Sequence, residues 1–370
     1  MGFLWRSVWK FGLGSLFLAG IGSSLQGAIA ATPASIEVLV AQVRQEQVLV
    51  DQGRQLYGAG DYAEAIQILN QAIVLNGSSF DAYVGRGASQ MALGDYERAI
   101  NDFEYAIQLN PRSPNVHYYL GLARASSGDY VGSLFDYGSA IFLDPNFESA
   151  YFHRAQARHK VRNFTGAIRD YSLVLRLDSN NSDAYTKRGL AHAAQKNYAR
   201  AMQDFNQAIA LEPESAETLL HRGVVRLESG DTEGAIQDYS KAIVLDPNQP
   251  HFYFNRGNAR AQKGDHTGAV QDYSTTLEMN PSANKAFTNR ALSRVAMGDR
   301  KNAVEDFSQA IRLDSTDAVA YATRGNLLVS LGKRKDGIRD LQTGARLFRE
   351  QGNLSLYRKA IDRISQLLNQ

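Results

Sequence analysis

Gly60-Asp61-Tyr62, Gly94-Asp95-Tyr96 and Gly128-Asp129-Tyr130 recur at a spacing of 34 residues, and the series runs on as Arg162-Asn163-Phe164, Lys196-Asn197-Tyr198, Gly230-Asp231, Gly264-Asp265, Gly298-Asp299 and Gly332-Lys333. Nine copies follow in unbroken register, at 46–79, 80–113, 114–147, 148–181, 182–215, 216–249, 250–283, 284–317 and 318–351. A fixed period of this length marks an architecture in which each unit is one supersecondary element stacked on the next.

The sixth copy shows what the element is. Leu219, Leu220, Gly223, Val224 and Leu227 share one face of a helix. Gly230 suits the left-handed conformation that ends a helix, and Asp231 suits the N-cap of the next. Ala235, Ile236, Tyr239, Ala242 and Ile243 repeat the helical spacing, and Asp246-Pro247 closes the unit because proline disfavours helix at the residue before it. Between copies, repeat position 8 is Gly or Ala throughout. Position 20 is small in every copy (Ala65 to Gly337), and position 27 is Ala except at Val174, Thr276 and Gly344. Small residues at such points let two helix axes approach to about 8 Å.

The 34-residue length, these small positions, the aromatic at position 24 (Phe103, Tyr137, Tyr171, Phe205, Tyr239, Tyr273, Phe307) and the proline at position 32 (Pro111, Pro145, Pro213, Pro247, Pro281) resemble the tetratricopeptide repeat family. The family's Trp at position 4 is absent, with Tyr83, Tyr151, Tyr185, Tyr253 and Tyr321 in its place. The resemblance implies an all-α fold, a right-handed α-solenoid of nine helix–turn–helix repeats. One helical pair cannot bury its apolar face alone, so the ends need caps. Residues 31–45, with Val38, Leu39 and Val43, are expected to cap one end. Residues 352–370 are expected to carry a C-terminal capping helix, with Leu354, Tyr357, Ile361, Ile364 and Leu368 at helical spacing.

Residues 1–30 read as a signal peptide. Arg6 and Lys10 precede the apolar run Phe11–Ile21, and Ala28-Ile29-Ala30 sets small residues before a cleavage site after Ala30. An uncleaved membrane anchor is the alternative. The chain carries 40 basic and 38 acidic residues, and without the two leader cations the body is neutral. A neutral body is a poor partner for nucleic acid, whose affinity comes from neutralising phosphates. The expected location is periplasmic or otherwise extracytoplasmic.

Catalytic chemistry finds no candidate residues, and none are expected for cofactors or metals. There is no cysteine. The seven histidines form no His-Glu-x-x-His motif, and His153 and His159 lie about 240° apart around their helix. Arg occupies position 7 in seven copies and Asp position 23 in eight. A ligand-binding spiral of charge and a structural Arg–Asp pairing both fit. Recurrence favours the pairing, since a binding surface varies between copies whereas a scaffold device repeats.

The resemblance further implies a concave groove lined by the first helices at positions 2, 5, 9, 12 and 13. Two stretches stand out there. Tyr118, Leu122, Phe152, Gln156 and His159 make an aromatic patch, which either anchors a ligand or fills space between neighbouring repeats. Asn255, Asn258, Lys285 and Asn289 make a polar patch suited to a peptide backbone or carboxylate. Asn255 and Lys285 match two positions of the family's carboxylate clamp, while Leu220, Val224 and Asn289 depart from it. The expectation is a non-catalytic scaffold that binds an extended peptide or protein surface during assembly of an envelope or membrane complex. A membrane-anchored assembly factor or a glycan-binding module is the alternative. If the small positions set the helix contact, Ala235→Arg will lower the melting temperature and unravel neighbouring repeats. An unchanged melting curve would remove that contact.

Overall fold

The computed structural model describes residues 33–369, with side chains from residue 37 onward, so the leader lies outside the described residues. Every regular element described is a helix. They are α1 (Pro33–Ala59), α2 (Tyr62–Leu75), α3 (Phe80–Ala92), α4 (Tyr96–Leu109), α5 (Pro114–Ser127), α6 (Tyr130–Leu143), α7 (Glu148–Lys160), α8 (Phe164–Leu177), α9 (Ser182–Ala194), α10 (Tyr198–Leu211), α11 (Ala216–Glu228), α12 (Thr232–Leu245), α13 (Pro250–Lys263), α14 (His266–Met279), α15 (Asn284–Ala296), α16 (Arg300–Leu313), α17 (Ala318–Ser330), α18 (Arg334–Glu350) and α19 (Leu354–Leu368). The chain divides into two compact units, Met1–Ala157 and Arg158–Gln370. In the first, α1 packs on α2, α2 on α3, α3 on α4, and so on to α6. In the second, α9 to α19 stack by the same rule. Each unit is an α-solenoid of helical pairs.

The local reasons are those the sequence suggests. The turn position of each repeat is left-handed, at φ between 80° and 95° for Gly94, Gly128, Gly230, Gly264, Gly298 and Gly332. Arg162 and Lys196 hold the same turn at φ 61° and 59°, where a side chain costs about 1–2 kcal/mol. The next residue caps the second helix: Asp231 Oδ1 accepts from the Gly234 N–H at 2.9 Å, and Asp129, Asn163 and Asp265 do the same.

Inside five of the pairs, the ring at position 24 lies on bare backbone at position 8. A Cβ on Gly223 would come within 2.6 Å of Tyr239, and one on Gly87, Gly121, Gly189 or Gly257 within 2.7–2.9 Å of its own ring. Ala235 and Ala242 are fully buried beside Tyr239, in a core that also takes Leu219, Leu220 and Phe252. Ala99, Phe103 and Tyr137 play the same part in the first unit.

The Arg and Asp series is a set of internal forks. Arg222 donates through Nε and Nη2 to both oxygens of Asp238 at 2.8 and 2.7 Å, and through Nη1 to Asn206 at 2.8 Å, on the second helix of the copy before. The same three-point contact ties Arg86 to Asp102 and Asn70, Arg188 to Asp204 and Ser172, Arg256 to Asp272 and Ser240, Arg290 to Asp306 and Ser274, and Arg324 to Asp340 and Ser308. A position 4 ring stacks on several of these guanidiniums, as Tyr253 does on Arg256 at 5.7 Å. A second arginine, at position 11, reaches the same carboxylate. Arg226 meets Asp238 at 3.0 Å, and Arg260 and Arg294 act alike. With Asp238 buried between two arginines, deleting the carboxylate strands their charges at a cost of about 3–5 kcal/mol.

The ends depart from the sequence reading in two ways. α19 packs on α18 through Tyr357 and Ile364 of the expected set and through Ala360 and Leu367 outside it, whereas Leu354, Ile361 and Leu368 are exposed. Its burying stripe is therefore rotated from the expected one, because α18 meets it on the flank that carries Ala360. At the other end, residues 33–45 are not a separate cap. They continue the first helix of the repeats, and Val38, Leu39 and Val43 are more than half exposed.

The third copy lacks the fork. Position 7 is Leu120, and Arg124 alone reaches Asp136, at 3.0 and 2.9 Å, while its other nitrogen bonds Glu104 at 2.6 Å. Burial raises the Asp136 pKa to about 6, against the pull of Arg124 and His117. Its folded pKa then exceeds the unfolded 3.8, so the native state binds more protons between those values and loses stability as the pH rises through them. Denaturant unfolding between pH 4 and pH 7 is expected to show this slope, on the order of 2 kcal/mol, and Asp136→Asn to abolish it. Identical pH profiles for the two proteins would assign Asp136 an ordinary pKa.

Candidate partner-binding face

Within each unit the first helices of successive repeats touch, α1 on α3 and α3 on α5, then α9 on α11, α11 on α13 and α13 on α15, whereas the second helices stand farther apart. Each stack therefore bends toward its first helices, whose outward side chains line the inner face. The forks lie between the helices and occupy none of that face.

The structure separates the sequence-predicted residues. Tyr118 is buried, only 6% exposed. Its ring packs on Tyr137, Tyr119 and Phe147, and its hydroxyl meets His153 Nδ1 at 3.2 Å. It fills space between neighbouring repeats and offers no ring to a ligand, so the aromatic-patch expectation fails at its centre. Burial accordingly pushes its phenol up. Leu122, Phe152 and Gln156 are half-buried on the same side of the first unit, with Phe152 edge-on to His153 at 5.5 Å. His159 belongs to the second unit, against Phe164 at 5.1 Å. Burial first, then Lys160 and Lys187, lowers its pKa.

The polar residues do converge. Asn258 Oδ1 accepts from both the Tyr273 hydroxyl and Asn289 Nδ2, each at 2.9 Å, which ties α13, α14 and α15 together. Asn255 donates to its own helix at the His251 carbonyl, at 2.7 Å. Lys285 is exposed beside them. The amides are thus partly spent on internal bonds, and the ammonium of Lys285 is the group most open to a ligand.

A feature the sequence reading passed over is a cleft on the inner face of the first unit. Val50, Arg54 and Tyr57 of α1, Asp81, Val84, Gly85, Ala88 and Met91 of α3 and Tyr119 of α5 surround it, with Leu69 at the base. It opens because Gly85 and Ala88 face it with almost no side chain. Its walls are apolar. Arg54, bonded to Asp51 at 3.2 Å, and Asp81 give it a charged rim, and burial raises the Asp81 pKa despite Arg54 nearby. The signal was present in the sequence as a small residue at position 9 between two valines at position 5, Val50 and Val84. Among the described residues no group of three or more His, Asp or Glu side chains converges as metal ligands would.

Comparison with known families follows this geometry. Models described as tetratricopeptide repeat or TPR repeat match residues 50–94, 89–128, 182–215, 225–264 and 285–317. The chain belongs to the tetratricopeptide-repeat family. No curated protein sequence matches this TPR chain. Among solved structures it is similar to the C-terminal part of a TPR repeat-containing protein from Cytophaga hutchinsonii, at 20% identity and TM-score 0.55, over 65% of this chain and 98% of that one. It is also similar to a tetratricopeptide repeat protein from Parabacteroides merdae, at 16% identity and TM-score 0.53, over 68% and 99%. A third likeness is to the APC/C hetero-tetramer Cut9–Hcn1, at 16% identity and TM-score 0.52, over 79% and 59%. At these identities the likeness is one of fold. TPR stacks of this kind are protein–protein interaction scaffolds, and the forked, repetitive interior of this TPR chain suits that role.

Proposed function

We propose that this TPR chain is an exported, non-catalytic scaffold that holds an extended peptide or protein surface along its first-helix face and serves assembly of an envelope or membrane complex. The observation that carries the reading is the cleft of the first unit. A small apolar depression with a rim of opposite charges suits the methyl tip of one apolar side chain of a ligand, flanked by polar backbone or charged neighbours. In the second unit Lys285, beside the Asn258–Asn289 pair, adds a place for a carboxylate or a peptide carbonyl. The leader sequence supports export, and the neutral body supports a protein ligand over nucleic acid.

Two experiments bear on the two halves of this reading. Ala88→Arg places a long cation across the cleft. Crosslinking from that face, read by mass spectrometry, is expected to lose its captured peptide, with the melting temperature within a few degrees of the parent. Capture of the same partners at the same yield would end the cleft reading. For export, N-terminal sequencing of the protein recovered outside the cytoplasm is expected to start at Ala31. A start at the initiator methionine would make it an anchored protein.

A further inference from the structure

α1 has 27 residues, about twice the length of α2 with 14 or α3 with 13. Its second half presents Glu46, Leu49, Val50, Gly53 and Tyr57 to the core, at the three-and-four spacing of one helix face. Glu46 is held there by the hydroxyl of Ser79. The same spacing continued backward reaches Val43, Val40 and Leu39. These are 56%, 43% and 53% exposed, because α2 and α3 end before reaching them. Where α2 stops, a shallow cleft lined by Gln45, Leu49, Asn70, Gln71, Val74 and Leu75 prolongs the apolar surface, with Val74 85% exposed. The core-facing stripe of α1 therefore runs on for two more turns, largely exposed among the described residues.

The charges beside the stripe say what fits. Glu37 and Arg44 are the only charged residues in 37–45, every one of which is exposed. They sit seven residues apart on one flank, about 10 Å along the axis, too far to pair with each other. A like helix laid alongside in the same direction would set glutamate near glutamate. Laid in the opposite direction, with Val40 against Val43 of the second copy, it brings Glu37 to Arg44 of the second copy and Arg44 to Glu37 of the second copy.

We propose that residues 37–47 of α1 pair antiparallel with the same segment of a second copy of this chain. The contact is isologous, as two-fold symmetry requires: one patch meets itself, with valines in the seam and two reciprocal ion pairs on one flank. Its area is at the low end of protein interfaces, so the dimer is concentration-dependent. It leaves the first-helix face and the cleft at Ala88 open, and it stands independently of what that face binds.

The chain has no cysteine, which makes the test direct. Two differently tagged full-length chains are co-expressed, one carrying Val40→Cys and the other Val43→Cys, and oxidised in place. A mixed disulfide dimer is expected in excess of either like dimer and well above a Val40→Cys with Val48→Cys control. Added to these cysteine chains, Glu37→Arg or Arg44→Glu alone is expected to lower the yield roughly five- to tenfold, since each breaks both ion pairs. The two changes together are expected to restore it, because the pairs re-form with signs exchanged. A dominant Val40–Val40 dimer, a yield no higher than the control, or a double variant no better than the singles would each overturn the proposal. So would a photo-crosslinker at Val43 that captured residues 1–30 or lipid in place of a second copy.

Discussion

Arg222 touches three helices at once. Its guanidinium rises from α11, grips both oxygens of Asp238 on α12 and reaches back to Asn206 on α10. Most of the structure depends on repeating that contact. A pair of helices has too little apolar surface to stand alone, so each must be fixed to its neighbour in one orientation. A planar fork with fixed donor directions sets orientation in a way that apolar contact does not. The buried carboxylate also makes the arrangement unforgiving, because its loss leaves the guanidiniums around it unpaired.

The fork explains why the interior is monotonous and the inner face is not. Positions 7, 8, 20, 23 and 24 are each constrained by a neighbour in the same or the preceding copy. Gly223 cannot gain a Cβ because Tyr239 lies on it, and Tyr239 cannot shrink without leaving a cavity beside Ala242. Side chains on the inner face are less tightly constrained: Val84, Ala88 and Met91 touch the core on one side only and differ from their counterparts in other copies. The third copy is the exception inside the scaffold. Leu120 stands where the fork's arginine should be, Gly138 stands where most other copies offer a Ser or Asn acceptor, and Arg124 holds Asp136 from one side only. A buried carboxylate that meets one guanidinium nitrogen, without the two-nitrogen fork, is the natural site for a raised pKa.

Much of this was legible as period. The helix ends, the left-handed turns, the N-caps at Asp129 and Asp231 and the pairing of position 7 with position 23 follow from local chemistry repeated in most of the nine copies. The second arginine at position 11 was missed because Arg124, Arg158, Arg226, Arg260 and Arg294 recur in only part of the series, and spacing alone does not say which carboxylate a long side chain reaches. Position 5 lies on the inner side of the helix, so the sequence leaves Tyr118 either a surface anchor or a filler between repeats. Only the packing of Phe147 and Tyr119 around it shows that the ring is enclosed.

By itself the sequence determined the element, its length, its turns and its number of copies, because these depend on residues no more than a few turns apart along the chain. It also determined which positions belong to the scaffold, since a steric or electrostatic requirement that recurs leaves the same kind of residue in most copies. Tertiary structure decided what repetition cannot encode: that Gly85 and Ala88 open a cleft against Tyr119, that Tyr118 closes into the core, that α19 turns Ala360 inward, and that the stripe of α1 outruns the helices that cover it. Each of these is set by where two elements meet and by which of them ends first. That is a matter of packing between segments, which no single periodic stretch contains.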